Sequence, residues 1–160
     1  MRSSWLLLLI ASWSQLAFCY EIVFVVLGYN RPDELKRTLA NLCGLKSDPT
    51  YKMEIDIDGP TPGNEELVKR SIMVAEEFKC PLFNTTVIAH EQNRGIVGQW
   101  IGSWHPKDDQ YSLIIEDDVE ISPDTLYFLD VLIKRFKDDP MLYGIALQRA
   151  QWQLGICERK

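Results

Sequence analysis

The sequence has no basic stripe. Its 17 lysines and arginines are scattered singly or in pairs against 23 acidic residues, for a formal charge of −6. That excludes a nucleic-acid-binding face and gives no basic patch for a membrane surface. Histidine is scarce: His90 and His105 are the whole complement, too few for the histidine-rich ligand set of a typical metal-dependent phosphohydrolase. There are four cysteines, none at metal-site spacing, and there is no low-complexity tract or internal repeat. No apolar run reaches the roughly 20 residues that a bilayer span takes. The composition, 46% hydrophobic and 25% charged over 160 residues, suits one packed domain and is too short for two comfortable ones.

The N-terminus reads as a targeting segment. Arg2 precedes the apolar core 5–13 (WLLLLIASW), and Ala17-Phe18-Cys19 offers small residues for cleavage before Tyr20. Residues 1–19 are therefore expected to be a signal peptide, with a short uncleaved anchor as the alternative and the only route to a membrane. Either way the chain is directed to the secretory pathway, as an endoplasmic reticulum, Golgi lumen or secreted protein. Loss of Arg2 leaves 16 basic against 23 acidic residues, a charge of −7. Three cysteines then remain, Cys43, Cys80 and Cys157, an odd number in an oxidising compartment. Cys43 and Cys80 each follow a predicted helix and are a possible pair; spacing does not decide the connectivity.

Along the chain, strands and helices alternate. Residues 22–27 (IVFVVL) form a β-branched run, apolar on both faces, that belongs inside a covered sheet. Gly28 to Arg31 end it, and Pro32 starts a helix with Leu35, Leu39 and Leu42 at helical spacing and Gly44 after it. A second strand over 51–57 puts Met53, Ile55 and Ile57 on one face and Glu54, Asp56 and Asp58 on the other, ending at Asp58-Gly59-Pro60. Asn64 is placed to cap a helix with a stripe of Leu67, Ile72, Ala75 and Phe78. A strand at 87–89 precedes Asn93-Arg94-Gly95, and a helix over 96–104 is weakened by Gly98 and Gly102. A central strand at 111–115 follows, then a helix capped by Ser122 with Pro123 at its first position, carrying Leu126, Leu129, Ile133 and Phe136, and a last strand over 142–147.

The polar residues are the informative part. Glu116, Asp117 and Asp118 close the fourth strand, and three adjacent acids near a core are costly unless something positive compensates. On their own they fit either a site for a hard cation, Mn²⁺ or Mg²⁺, or an acidic turn opening the next helix. Tyr29, Asn30, Arg31, Asp58 and Arg94 also follow strands, on what an α/β fold with a mainly parallel sheet makes the same edge. This convergence favours a binding site, with Arg31 available for a phosphate.

With those residues assembled, the chain resembles the N-terminal half of a family-2-like glycosyltransferase of the GT-A type. The segments VVLGYNRP (25–32), NRG (93–95) and IIEDDVEISP (114–123) carry the resemblance. The last is similar to the acidic motif of the N-acetylglucosaminyltransferase that initiates complex N-glycans. The resemblance implies a Rossmann-like GT-A sheet with helices on both faces, spanning residues 20–149 as an incomplete domain, with 150–160 a divergent tail. It implies a nucleotide-diphosphate-sugar donor, Mn²⁺ or Mg²⁺ on Asp118, and Glu116 and Asp117 against the ribose or sugar. Asp58 would meet the base, and Tyr29 and Arg31 the base and diphosphate region. An unknown glycan or protein would be the acceptor. The C-terminal half that would supply acceptor contacts and a catalytic base is missing, so weak donor binding and little turnover are expected of this chain alone. A secreted, non-catalytic nucleotide-sugar or glycan-binding module and a phosphohydrolase are the competing readings.

Asn84-Thr85-Thr86, in what reads as a turn-like segment after Pro81, is an N-glycosylation acceptor. Secreted material is expected to gain gel mobility on glycosidase treatment; unchanged mobility would show Asn84 unoccupied.

Overall fold

The computed structural model describes residues 20–47, 50–105, 107, 110–141, 144 and 147. The expected signal peptide, Cys157, the tail over 150–160 and four of the six residues of the strand expected at 142–147 fall outside them. Two compact units are present, residues 1–121 and 122–160.

In the first unit the elements run β1 (Glu21–Gly28), α1 (Pro32–Cys43), β2 (Tyr51–Ile57), α2 (Glu65–Glu77), β3 (Phe83–Ala89), α3 (Gly95–Gly102) and β4 (Gln110–Glu116). All strand pairs are parallel and the order is β3-β2-β1-β4. The fold is α/β with a Rossmann-like sheet. β1 is its axis, because only that strand is apolar at every interior position, and Ile22 to Leu27 are all buried. Fully burying such side chains is worth about 1.5–3 kcal/mol each.

The strand order sets the helix layers. The chain steps from β1 to β2 to β3, then returns across β1 to β4; crossovers of one hand therefore leave their helices on opposite faces. Gly28 lies against Leu35 of α1, so Phe24, Val26 and, by register, Met53, Ile55, Leu113 and Ile115 share the α1 face. Phe24, Tyr51 and Phe83 stack edge-on at its lower end. The other face carries Val23, Val25 and Leu27, which pack against Ile114 and against Trp104, just after α3.

Several sequence expectations shift. β4 is an edge strand among the described residues rather than a central one, because β1 takes the middle. β3 begins at Phe83, so Asn84 sits exposed on an edge strand paired with Lys52 and not in a turn. α2 buries Val68, Ser71 and Ala75, while Leu67 is exposed and Ile72 and Phe78 are half-buried. Small side chains lie on the contact line where α2 meets α1 and the sheet. Asn64 occupies the N-cap position without a capping bond, its side chain being used elsewhere.

In the second unit α4 spans Thr125–Phe136, starting two residues later than Ser122 and Pro123 suggest. The Ser122 hydroxyl accepts the Asp124 N–H, and its carbonyl accepts the Thr125 N–H, making a turn ahead of the helix. Leu126 and Ile133 are buried, Leu129 is half-buried and Phe136 is exposed.

A disulfide joins Cys43, at the end of α1, to Cys80 beyond α2, with Cα atoms 5.8 Å apart. It closes a loop 37 residues long in sequence, and such a link contributes about 2–4 kcal/mol by restricting the unfolded chain. Replacing both cysteines by serine should lower the thermal midpoint by about 5–15 °C. Calorimetry of the variant against the oxidised protein checks this; equal midpoints would show that the bond adds nothing.

Candidate functional site

The loops after β1, β2 and β4 meet at the carboxyl edge of the sheet. β1 and β4 flank the point where strand order reverses, the position at which open α/β sheets leave a crevice for ligands.

Side chains bolt the first two loops together. The Tyr29 hydroxyl lies 2.6 Å from Thr61 Oγ1 and accepts the Thr61 N–H at 3.1 Å. Asn30 Nδ2 donates to Asn64 Oδ1, and Asn64 Nδ2 donates to Thr61 Oγ1, each at 2.9 Å. Thr61 and Asn64 are thus structural partners of the site. The only signal for them in the sequence is their place in the turn that follows Asp58-Gly59-Pro60.

Arg31 is the hinge between the β1 loop and the acids. Its Nη2 donates to Asp117 Oδ1 at 2.5 Å and its Nη1 to Asp118 Oδ2 at 2.6 Å. The Tyr29 N–H donates to Asp117 Oδ2 at 3.3 Å, and the Thr38 hydroxyl donates to the Asp117 carbonyl at 2.8 Å. Asp117 is therefore buried and committed, whereas Asp118 keeps its side chain 41% exposed. Glu116 accepts the Trp100 indole N–H at 3.1 Å. One guanidinium pairs with two of the three carboxylates, and the third is held by Trp100. Among the described residues no group of three His, Cys, Asp or Glu side chains forms a metal cage. The donor set fits a hard divalent ion only at Asp118, with the rest of its shell supplied by phosphate oxygens and water, as Mg²⁺ sites commonly are.

Asp58 is buried at 2% exposure and its carboxylate is fully engaged. Oδ1 accepts the N–H groups of Gly59 and Arg94, and Oδ2 accepts Asn93 Nδ2 and the Gly95 N–H, all between 2.8 and 3.0 Å. Four bonds fill a carboxylate's capacity, so a base N–H at Asp58 would have to displace one of them. In this arrangement Asp58 fixes the 92–95 turn, where Gly95 adopts φ +67°. Gly59 is required for the same reason: a Cβ there would collide with the Gln92 backbone.

Arg94 lies apart from the Arg31 cluster. Its guanidinium runs along α3, donating to the Gly98 carbonyl at 2.7 Å and contacting His90 Nε2 at 2.7 Å. A Cβ at Gly102 would overlap it, so the two glycines that weaken this helix in sequence terms make room for a side chain. His90 Nε2 also lies 3.0 Å from buried Asp56, and Gln99 Nε2 donates to Asp56 and to the Gly28 carbonyl. Arg94 and His90 thus serve the packing of α3 against the sheet, and His105 is exposed beyond it.

No family sequence profile matches this chain, and no curated protein matches it. Among solved structures, S. aureus TarS residues 1–349 in complex with UDP is similar at 16% identity with a TM-score of 0.49, over 81% of this chain and 38% of that one. The same protein in complex with UDP-GlcNAc gives 16%, 0.49, 81% and 37%. A further S. aureus TarS structure gives 16%, 0.47, 72% and 20%. The chain thus spans between a fifth and two-fifths of the length of these structures.

Burial raises the Asp117 carboxyl above its ordinary value, and Arg31 and the Tyr29 N–H offset only part of that. Arg31 loses some solvation, but Asp117 and Asp118 still hold it above its own usual value. A carboxyl whose folded value exceeds its unfolded one stabilises the fold fully below the unfolded value, and that contribution is lost as pH rises through the folded value. Asp117→Asn does not titrate. The wild-type midpoint minus the variant midpoint should therefore be larger near pH ~4 than near pH ~7. Thermal unfolding of both proteins at the two pH values checks this; a difference that shrinks on acidification would contradict it.

Proposed function

We propose that the carboxyl edge of this sheet binds a nucleotide-diphosphate sugar together with Mn²⁺ or Mg²⁺, as the donor half of a GT-A glycosyltransferase. The observation that carries this reading is the Arg31–Asp117–Asp118 arrangement at the strand-order reversal, beside the N-terminus of α1. A diphosphate needs positive partners. Arg31 supplies one, still 47% exposed, and the first turn of α1 presents backbone N–H groups beside it. Asp118 is the residue that would hold the ion, which when bound neutralises charge on the leaving diphosphate as a Lewis acid. Asp117, fixed from three sides, keeps Arg31 in place. Tyr29 and Asn30, tied to Thr61 and Asn64, hold the neighbouring wall. The reading rests on this chain's own geometry and on the motif resemblance.

Transfer to an acceptor belongs to the same proposal, with the acceptor side contributed by sequence beyond the described residues. The Cys43–Cys80 disulfide supports passage through an oxidising compartment, in keeping with the secretory reading of the N-terminus.

Thermal shift with Mn²⁺ and a panel of uridine and guanosine diphosphates tests the site. A ligand near 100 times its Kd adds about 2.7 kcal/mol, which should raise the midpoint by about 5–10 °C. Asp118→Ala should abolish the part of the shift that needs the metal, and Arg31→Ala should reduce the shift with or without it. No shift with any nucleotide, metal present, would overturn the proposal.

A further inference from the structure

We propose that Trp100 and Glu116 together form the platform for the sugar ring of the donor, so that Trp100 is a specificity-determining residue. This deepens the nucleotide-sugar reading and rests on it.

Trp100 stands out on α3. Ile96, Val97 and Ile101 project into solvent at 65%, 67% and 76% exposure, while Trp100 turns back toward the sheet edge and remains 44% exposed. Its indole N–H is the donor to Glu116 Oε1 at 3.1 Å, and this bond fixes the ring's orientation. Gln99, the next residue, is buried and anchored to the Gly28 and Asp56 carbonyls, so the helix turn carrying Trp100 is held to the ends of β1 and β2. A large aromatic side chain is thus tethered through its indole N–H and through the helix turn that carries it, while 44% of the residue stays exposed.

Its neighbour matters as much. Glu116 ends β4 and directly precedes Asp117, whose carboxylate holds Arg31. A diphosphate at Arg31 places its attached group close to that strand end. Glu116 Oε2 makes no hydrogen bond among the described residues, so the carboxylate keeps acceptor capacity. A flat apolar surface beside a carboxylate that can only accept matches a pyranose, which has an apolar C–H face and hydroxyl donors around its rim. A uracil ring offers a single N–H donor, and a phosphate is repelled by Glu116.

The test compares each nucleotide diphosphate with its sugar conjugate on the full chain with Mn²⁺: UDP against UDP-GlcNAc and UDP-glucose, and GDP against GDP-mannose. Affinities are read by calorimetry. Emission from Trp100 is read as the difference between wild type and Trp100→Phe. The expected result is that Trp100→Ala lowers the preference for the sugar conjugate over its diphosphate by about tenfold. Trp100→Phe, which keeps an aromatic face, should retain most of that preference, and Trp100 emission should respond to the conjugate more than to the diphosphate. If Trp100→Ala leaves the ratio intact while diphosphates bind, the platform is refuted and the nucleotide site stands. If wild type binds none of the probes, the nucleotide reading fails and this inference with it. Trp100→Phe also guards against misfolding, since loss of all binding in Trp100→Ala alone is then judged against the conservative variant's ratio.

Discussion

The pairing of Arg31 with Asp117 and Asp118 is the interaction on which the site depends. It links the first loop of the sheet to the end of its fourth strand, across the point where strand order reverses. Without a cation there, a buried Asp117 beside Asp118 would carry an unscreened repulsion against the core. The guanidinium is planar and two-pronged, so it meets two carboxylates at once and sets their orientation; a lysine in its place would hold at most one well. The arrangement is part of the folded structure and at the same time leaves one acid and one face of the cation facing outward.

A second pair of carboxylates, at the end of β2, organises the segment that leads into α3. Asp56, in β2, and Asp58, just beyond its end, are both almost fully buried, and each organises a later part of the chain. Asp58 gathers the 92–95 turn, and Asp56 gathers Gln99 and His90. Polar side chains in the middle of a parallel sheet are expensive unless every lone pair is used. Here they are used to start α3 at a fixed place, and that placement delivers Trp100 to Glu116.

Much of the fold was legible in the sequence because it is written in local terms. The continuous apolar run of β1, Pro32 and Gly44 around α1, and the alternation in β2 each specify an element without knowledge of its neighbours. The convergence of polar residues on one edge follows from parallel topology alone. What was not legible depends on tertiary partners. Asp58 looks like a free ligand until the four donors around it are counted, and Arg94 looks available until Gly98 and Gly102 are seen to receive it. The buried line of α2 runs through Val68 and Ser71 rather than the larger Leu67 because close helix approach selects for small volume. Hydrophobicity alone points to the wrong line.

The place of Asn84 on an edge strand gives a glycan there, if one is attached, a consequence for solubility. β3 ends the sheet among the described residues, and an edge strand presents unpaired backbone groups along its open side. Thr85 and Thr86 beside it are strand-forming and uncharged, which is the composition that invites another strand to add. A branched carbohydrate on Asn84 would stand over that edge and deny it to a second chain. An acceptor sequence used in this way would then act as the sheet's guard against self-association.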